Sequence, residues 1–251
     1  SGGRAGNINM TSTGGDITTE PGSKIITNAI CPAGEIQILA PKGNIVIDGL
    51  VQSYSALTGT GSTQRPGGGP ITIKAGCLLT VSEKGTVSSA GKDPGADLVH
   101  LEGGCKVVIL GLVESTGPGH AVPNSPKNHC NNTNRPDKPS YSTACVEVWA
   151  GNSLTINSTG AHKGEVNADT GQSGGASGIG WIDLYARGDI NIIGDSAVPF
   201  AVHANGGIGV NTDNGGLVTV KSGEGNVSFL AIQADATTSG SSGGKITVEA
   251  K

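Results

Sequence analysis

A chain of 251 residues with 43 glycines and only Trp 2, Tyr 3 and Phe 2 cannot fill an aromatic-rich core, so its interior must be thin layers of small aliphatic side chains. Formal net charge is −4 and the basic residues are scattered, which excludes nucleic acid as a partner because no cationic stripe is available to neutralise phosphates. No apolar run approaches the roughly 18 residues that cross a bilayer, and the absence of an initiator Met and of a signal peptide reads as a mature fragment of a longer protein.

One pattern recurs along the whole chain: two apolar residues with one between, then a small residue and usually Gly. A degenerate copy, Ile8 and Met10, opens the chain, and copies follow at Ile36 and Ile38, Ile71 and Ile73, Val99 and Leu101, Val146 and Val148, Ile182 and Leu184, Val218 and Val220, and Ile246 and Val248. A second alternating segment begins shortly after each full copy, at Ile45, Leu79, Val107, Leu154, Ile190 and Val227. A third follows at Val51, Val87, Val113, Val166, Val202 and Ile232.

Three short strands per repeat predict an all-β fold, a single-stranded right-handed parallel β-helix with three sides and about seven to eight coils, forming one domain over residues 1–251. At about 4.8 Å per coil the rod is roughly 34 Å long. Repeat length varies, and the extra residues fall mostly after the third strand, in 58–69, 116–144 and 169–180. The longest excursion, 114–144, is expected as a loop insertion and carries His120, His129, Arg135, Asp137 and Tyr141. Loops of one class stack along one edge, which makes that edge a natural place for recognition.

Two stretches carry a family resemblance: Gly68-Gly69-Pro70-Ile71-Thr72-Ile73-Lys74-Ala75-Gly76 and Gly243-Gly244-Lys245-Ile246-Thr247-Val248-Glu249-Ala250. They resemble the Gly-rich β-helix repeats of filamentous-haemagglutinin-like and autotransporter-passenger surface adhesins. That resemblance implies a secreted or cell-surface bacterial module acting as adhesin or stalk. It speaks to architecture rather than activity, because the same coil also serves toxin stalks and polysaccharide-cleaving enzymes.

The five cysteines, Cys31, Cys77, Cys105, Cys130 and Cys145, lack the spacing of a zinc site. Cys77 and Cys105 hold equivalent repeat positions and Cys130 and Cys145 bracket a polar segment, so two disulfides are expected, with buried free thiols as the alternative.

Alternation along the first strand places two rows of side chains on its outer face. One reads Gln37, Thr72, His100, Glu147, Asp183, Thr219, Thr247; the other reads Leu39, Lys74, Glu102, Trp149, Tyr185, Lys221, Glu249. Trp181, just before this strand, is also expected to point outward. Flat rings beside adjacent carboxylates suit a saccharide, so Trp149, Trp181, Tyr185, Glu147, Asp183 and Lys221 form the candidate ligand face. The alternatives are a polysaccharide lyase or hydrolase using Glu147, Asp183 and His100, or an excursion from 114–144 packed over the aromatics.

Other motifs are weaker. Val210-Asn211-Thr212-Asp213 is similar to one polygalacturonase element, but the accompanying segments do not follow it, so it reads as a turn. No cofactor is implied, although Asp-rich turns such as Asp93 to Asp97 leave Ca²⁺ open. A regular Thr-x-Thr rank is missing, which excludes an ice-binding face, and the sequons at Asn9, Asn131, Asn157 and Asn226 are expected by chance. A strand ending at Ala250 without a successor leaves self-association through open β-helix ends as a further reading.

Overall fold

Alternation with period two is the organising fact. In Ile36–Ala40 the side chains are alternately buried and half-buried, and the same pattern recurs in Ile45–Ile47 and Leu50–Ser55. A strand with one apolar edge needs apolar neighbours on that edge, and here the next coil supplies them. The computed structural model describes residues 5–29, 33–56, 67–91, 96–118, 142–160, 162–171, 179–195, 200–206, 215–236 and 243–251.

Among the described residues there are 23 strands and no helix, arranged in three parallel sheets. The first sheet stacks Ile8–Thr11, Ile36–Ala40, Ile71–Ala75, Leu98–Gly103, Ser142–Ala150, Ile179–Ala186, Leu217–Ser222 and Lys245–Glu249. The second stacks Ile17–Thr19, Ile45–Ile47, Leu78–Val81, Lys106–Ile109, Ser153–Asn157, Ile190–Ile193 and Val227–Phe229. The third stacks Lys24–Ala29, Leu50–Ser55, Thr86–Gly91, Leu112–Pro118, Glu165–Asn167, Val202–His203 and Ile232–Gln233. The chain is a three-sided right-handed parallel β-helix, the hand that crossover connections between parallel strands adopt.

The register agrees residue by residue with the repeat. Ile8, Ile36, Ile71, Val99, Val146, Ile182, Val218 and Ile246 form one continuous column of strand partners. Two coil positions had no assigned second or third strand in the sequence reading: Ile17 pairs with Ile45 and Ile25 with Val51, so the opening coil is complete. The expected loop insertion starts later than 114, because Leu112–Pro118 continues as a strand whose Gly117 and Pro118 pair with Thr170 and Gly171. At its other end Ser142–Ala150 is already strand. Residues 119–141, with His120, His129, Cys130, Arg135, Asp137 and Tyr141, lie outside the described residues.

The corners follow from close stacking. A Cβ on Gly104 would run into the carbonyl oxygen of Gly76, and one on Gly151 into that of Gly104, so these two corner positions admit no side chain. Where a side chain is present it ties one coil to the next: Asp16 Oδ1 accepts the Asn44 N–H (2.7 Å) and Asn44 Oδ1 accepts the Leu78 N–H (3.0 Å).

Inside the third corner runs a column of buried hydroxyls, Thr27, Ser53, Ser89 and Ser115, adjacent in register. Ser89 Oγ donates to the Gly69 carbonyl (3.1 Å) and accepts from the Asp97 N–H (3.0 Å); Ser115 Oγ donates to the Asp97 carbonyl (2.8 Å) and accepts from the Cys145 N–H (2.9 Å). Each hydroxyl thus satisfies backbone groups that would otherwise be buried unpaired. In the later coils Ala168, Ala204 and Ala234 hold the slot, and Gly216 and Gly244 donate directly to the carbonyls of Ala204 and Ala234.

Candidate functional site

The outer face of the first sheet brings together most of the residues singled out from sequence. His100 pairs with Glu147, Glu147 with Asp183 and Asp183 with Thr219, while Glu102 pairs with Trp149, Trp149 with Tyr185 and Tyr185 with Lys221. Side chains separated by 36 to 47 positions in the chain are therefore next neighbours, about 4.8 Å apart along each row.

His100 is the pivot of the face, only 7% exposed. Its Nδ1 lies 2.9 Å from Glu147 Oε2, its Nε2 lies 3.3 Å from Glu102 Oε2, and its ring meets the Trp149 indole edge-on with centroids 5.2 Å apart. A neutral imidazole can donate to only one of two carboxylates, so both contacts are hydrogen bonds only for the protonated ring. The T-shaped contact fixes the indole orientation.

The lysines of the two rows, Lys74 and Lys221, are both engaged. Lys74 Nζ lies 2.8 Å from Glu102 Oε2 and Lys221 Nζ lies 2.9 Å from Glu249 Oε2. The hydrogen bond from Lys74 holds the Glu102 carboxyl below its usual range, with burial opposing and His100 adding to the effect. Likewise the hydrogen bond to Glu249 and its charge hold the Lys221 ammonium above its usual range.

Access to the rings is unequal. Tyr185 is 36% exposed and Trp149 half-buried, but Trp181 is only 2% exposed. Trp181 does stand on the outer side of the strand, in register with Cys145 and Leu217, yet it is packed with Cys145, Leu98 and Leu217 in an apolar cluster separate from the main core. The open aromatic surface expected from sequence is thus confined to Trp149 and Tyr185, because neighbours in Trp181's own row are apolar and close over it.

The Cys77–Cys105 disulfide forms as the repeat positions indicated, joining adjacent coils with Cα atoms 4.4 Å apart. Cys145 is also disulfide-bonded; Cys130 and Cys31 lie outside the described residues. Among the described residues no group of three or more His, Cys, Asp or Glu side chains is arranged to hold a metal ion. Of the Asp93 to Asp97 turn, Asp97 is described: it is buried, and its Oδ1 accepts the Leu98 N–H (2.7 Å). Asn211 to Asp213 lies outside the described residues.

A second polar cluster, on the third sheet, was not singled out from sequence. His203 Nε2 donates to Glu165 Oε1 (2.9 Å) and Nδ1 to Asp169 Oδ2 (3.0 Å), joining consecutive coils. Burial works against the charged ring, but the hydrogen bonds and charges of Asp169 and Glu165 outweigh it and push the His203 pKa up to about 9. The signal was present in the repeat itself, since Asn167 and His203 occupy the same outward slot of the third strand. No family model matches the chain, and neither the curated proteins nor the solved structures provide a match.

Proposed function

We propose that this chain is a non-catalytic display module, a rigid stalk or adhesin segment working outside the cell, whose first-sheet face engages a glycan through Trp149, Tyr185, Glu147, Asp183 and Lys221. The observation that supports this reading is the aromatic pair Trp149–Tyr185, placed in register beside the carboxylate pair Glu147–Asp183 on the outer face of the first sheet. Apolar sugar faces stack on aromatic rings, and carboxylates accept hydrogen bonds from ring hydroxyls. Cross-linked cysteines fit an oxidising compartment, and the adhesin-type repeats carried by residues 68–76 and 243–250 fit a surface role.

Glycan-array screening of the whole chain, followed by calorimetry on any hit, tests the proposal. Binding without release of product is expected, weakened at least tenfold by Tyr185→Ala; an array without hits, or hits indifferent to Tyr185→Ala, would remove this reading.

One contact favours a second reading, cleavage of a polysaccharide. The 2.9 Å approach of His100 Nδ1 to Glu147 Oε2 is a geometry from which a proton can be passed, and Asp183 stands next in the row. New reducing ends or unsaturated products, abolished by Glu147→Gln and by Asp183→Asn, would establish this reading against the first.

A further inference from the structure

The third sheet thins along the rod. Lys24–Ala29 pairs with Leu50–Ser55 at six positions, whereas Glu165–Asn167 meets Val202–His203 at two, and Val202–His203 meets Ile232–Gln233 at two. Backbone bonds continue past these short strands, from the Ala168 N–H to the His203 carbonyl (3.0 Å) and from the Thr170 N–H to the Asn205 carbonyl (3.0 Å), and side chains reinforce the same seam. Asp169 Oδ1 accepts the Asn205 N–H (2.7 Å) and Asn205 Oδ1 accepts the Asp235 N–H (3.0 Å), while Asp169 Oδ2 and Glu165 Oε1 grip the two ring nitrogens of His203.

We propose that Glu165, His203 and Asp169 form a proton-operated clasp, which closes the seam between the coil carrying Trp149 and the coil carrying Tyr185 and loosens it when His203 loses its proton. The clasp is independent of whether that first-sheet face binds a glycan.

Hydrogen-bond chemistry explains the mechanism. The imidazolium donates from both nitrogens and satisfies both carboxylates. A neutral ring keeps one donor, so one nitrogen lone pair faces a carboxylate oxygen at 2.9–3.0 Å and that contact becomes repulsive. The ring is 15% exposed, so water replaces the lost bond poorly without local opening. On the strand above, Gln233 is in register with His203 and donates to Asp235 Oδ2 (2.8 Å), the other charged group there. On the strand below, Asn167 is the lateral neighbour, and Glu114, one strand further, accepts from Ser88 Oγ (2.6 Å).

The sign follows from the raised pKa. His203 titrates near 9 in the folded chain against 6.5 ordinarily. The stabilisation is therefore complete below about pH 6.5 and is lost as pH rises through 9. The shift corresponds to at most a few hundredfold in the opening equilibrium, since each unit of pKa is about tenfold.

Hydrogen exchange of the whole chain, read by mass spectrometry and corrected for intrinsic exchange rates, tests the clasp. Between pH 6 and pH 9.5, protection over 200–206 should fall by about a hundredfold, while protection over 71–81 holds. His203→Gln should give low protection at both pH values, and His203→Lys, cationic throughout this range, should remove the fall. Should His203→Gln not fold, the Glu165→Gln, Asp169→Asn double variant must flatten the pH profile instead. Wild-type protection that is equal at both pH values, or a pH dependence surviving in either variant, overturns the proposal.

Discussion

Ser115 shows how much a single small side chain does in this fold. Fully buried, its hydroxyl serves a carbonyl of one loop and an N–H of the next strand at once. Ser115→Ala leaves both groups unpaired and should cost about 1–3 kcal/mol, measurable by chemical denaturation. Ser88→Ala, one coil down, removes a buried hydroxyl whose hydrogen bond goes to half-exposed Glu114 and leaves no backbone group unpaired, so it should cost less, about 1 kcal/mol. At the Gly104 corner even a methyl is too much: Gly104→Ala drives a Cβ into the Gly76 carbonyl, so the backbone of two coils must part. Loss of cooperative melting, or a strongly lowered midpoint, is the expected outcome. The Lys74–Glu102 pair behaves differently, because the side chains are 46% and 38% exposed and solvent screens them. Its contribution is present above the ordinary Glu range and lost as pH falls through the lowered value of Glu102. Glu102→Gln should therefore barely change the melting temperature at neutral pH, while removing a small stability loss on acidification.

At the scale of strands and cross-links, the Cys77–Cys105 bridge joins residues 28 apart in consecutive coils. Closing such a loop in the unfolded chain is worth about 3–4 kcal/mol in the chain-entropy treatment, so the Cys77→Ser, Cys105→Ser variant should unfold at correspondingly lower denaturant. The strands themselves were legible in sequence because apolar columns demand a period of two within a strand and one residue type per slot across coils. Every core partner from Ile36 to Ile246 follows from that demand. The outer rows were legible for the same geometric reason, which is why Glu147 and Asp183, and Trp149 and Tyr185, meet as the sequence indicates. Alternation tells which way a side chain points and nothing about what covers it, so the burial of Trp181 against Cys145, Leu98 and Leu217 could not be read from it. The His203 clasp was missed because Glu165 and Asp169 flank Asn167, the residue in register with His203, so each carboxylate meets the ring diagonally and not as a partner in the same slot.

Taken as a whole, the molecule is a one-dimensional stack in which each coil touches only the coils before and after it, so local stability should follow local packing. Core positions such as Ile71, Ile73, Val99 and Leu101 have no exposed surface, whereas Ile246 and Val248 in the same columns are 43% and 39% exposed. Hydrogen exchange should therefore be slowest in the strands Ile71–Ala75, Leu98–Gly103 and Ser153–Asn157 and quicken toward Lys245–Glu249, and a single uniform rate along the rod would contradict this picture.

The change from hydroxyls to alanines along the third corner carries a consequence for engineering and for descent. In the half bearing Thr27, Ser53, Ser89 and Ser115, a side-chain peg bridges the gap to the next turn; in the half bearing Ala168, Ala204 and Ala234, backbone touches backbone. Units from the two halves thus have mismatched joints despite sharing a consensus. Duplicating a module within its own half should yield a longer soluble rod, whereas transplanting one across the boundary should leave a peg without a socket.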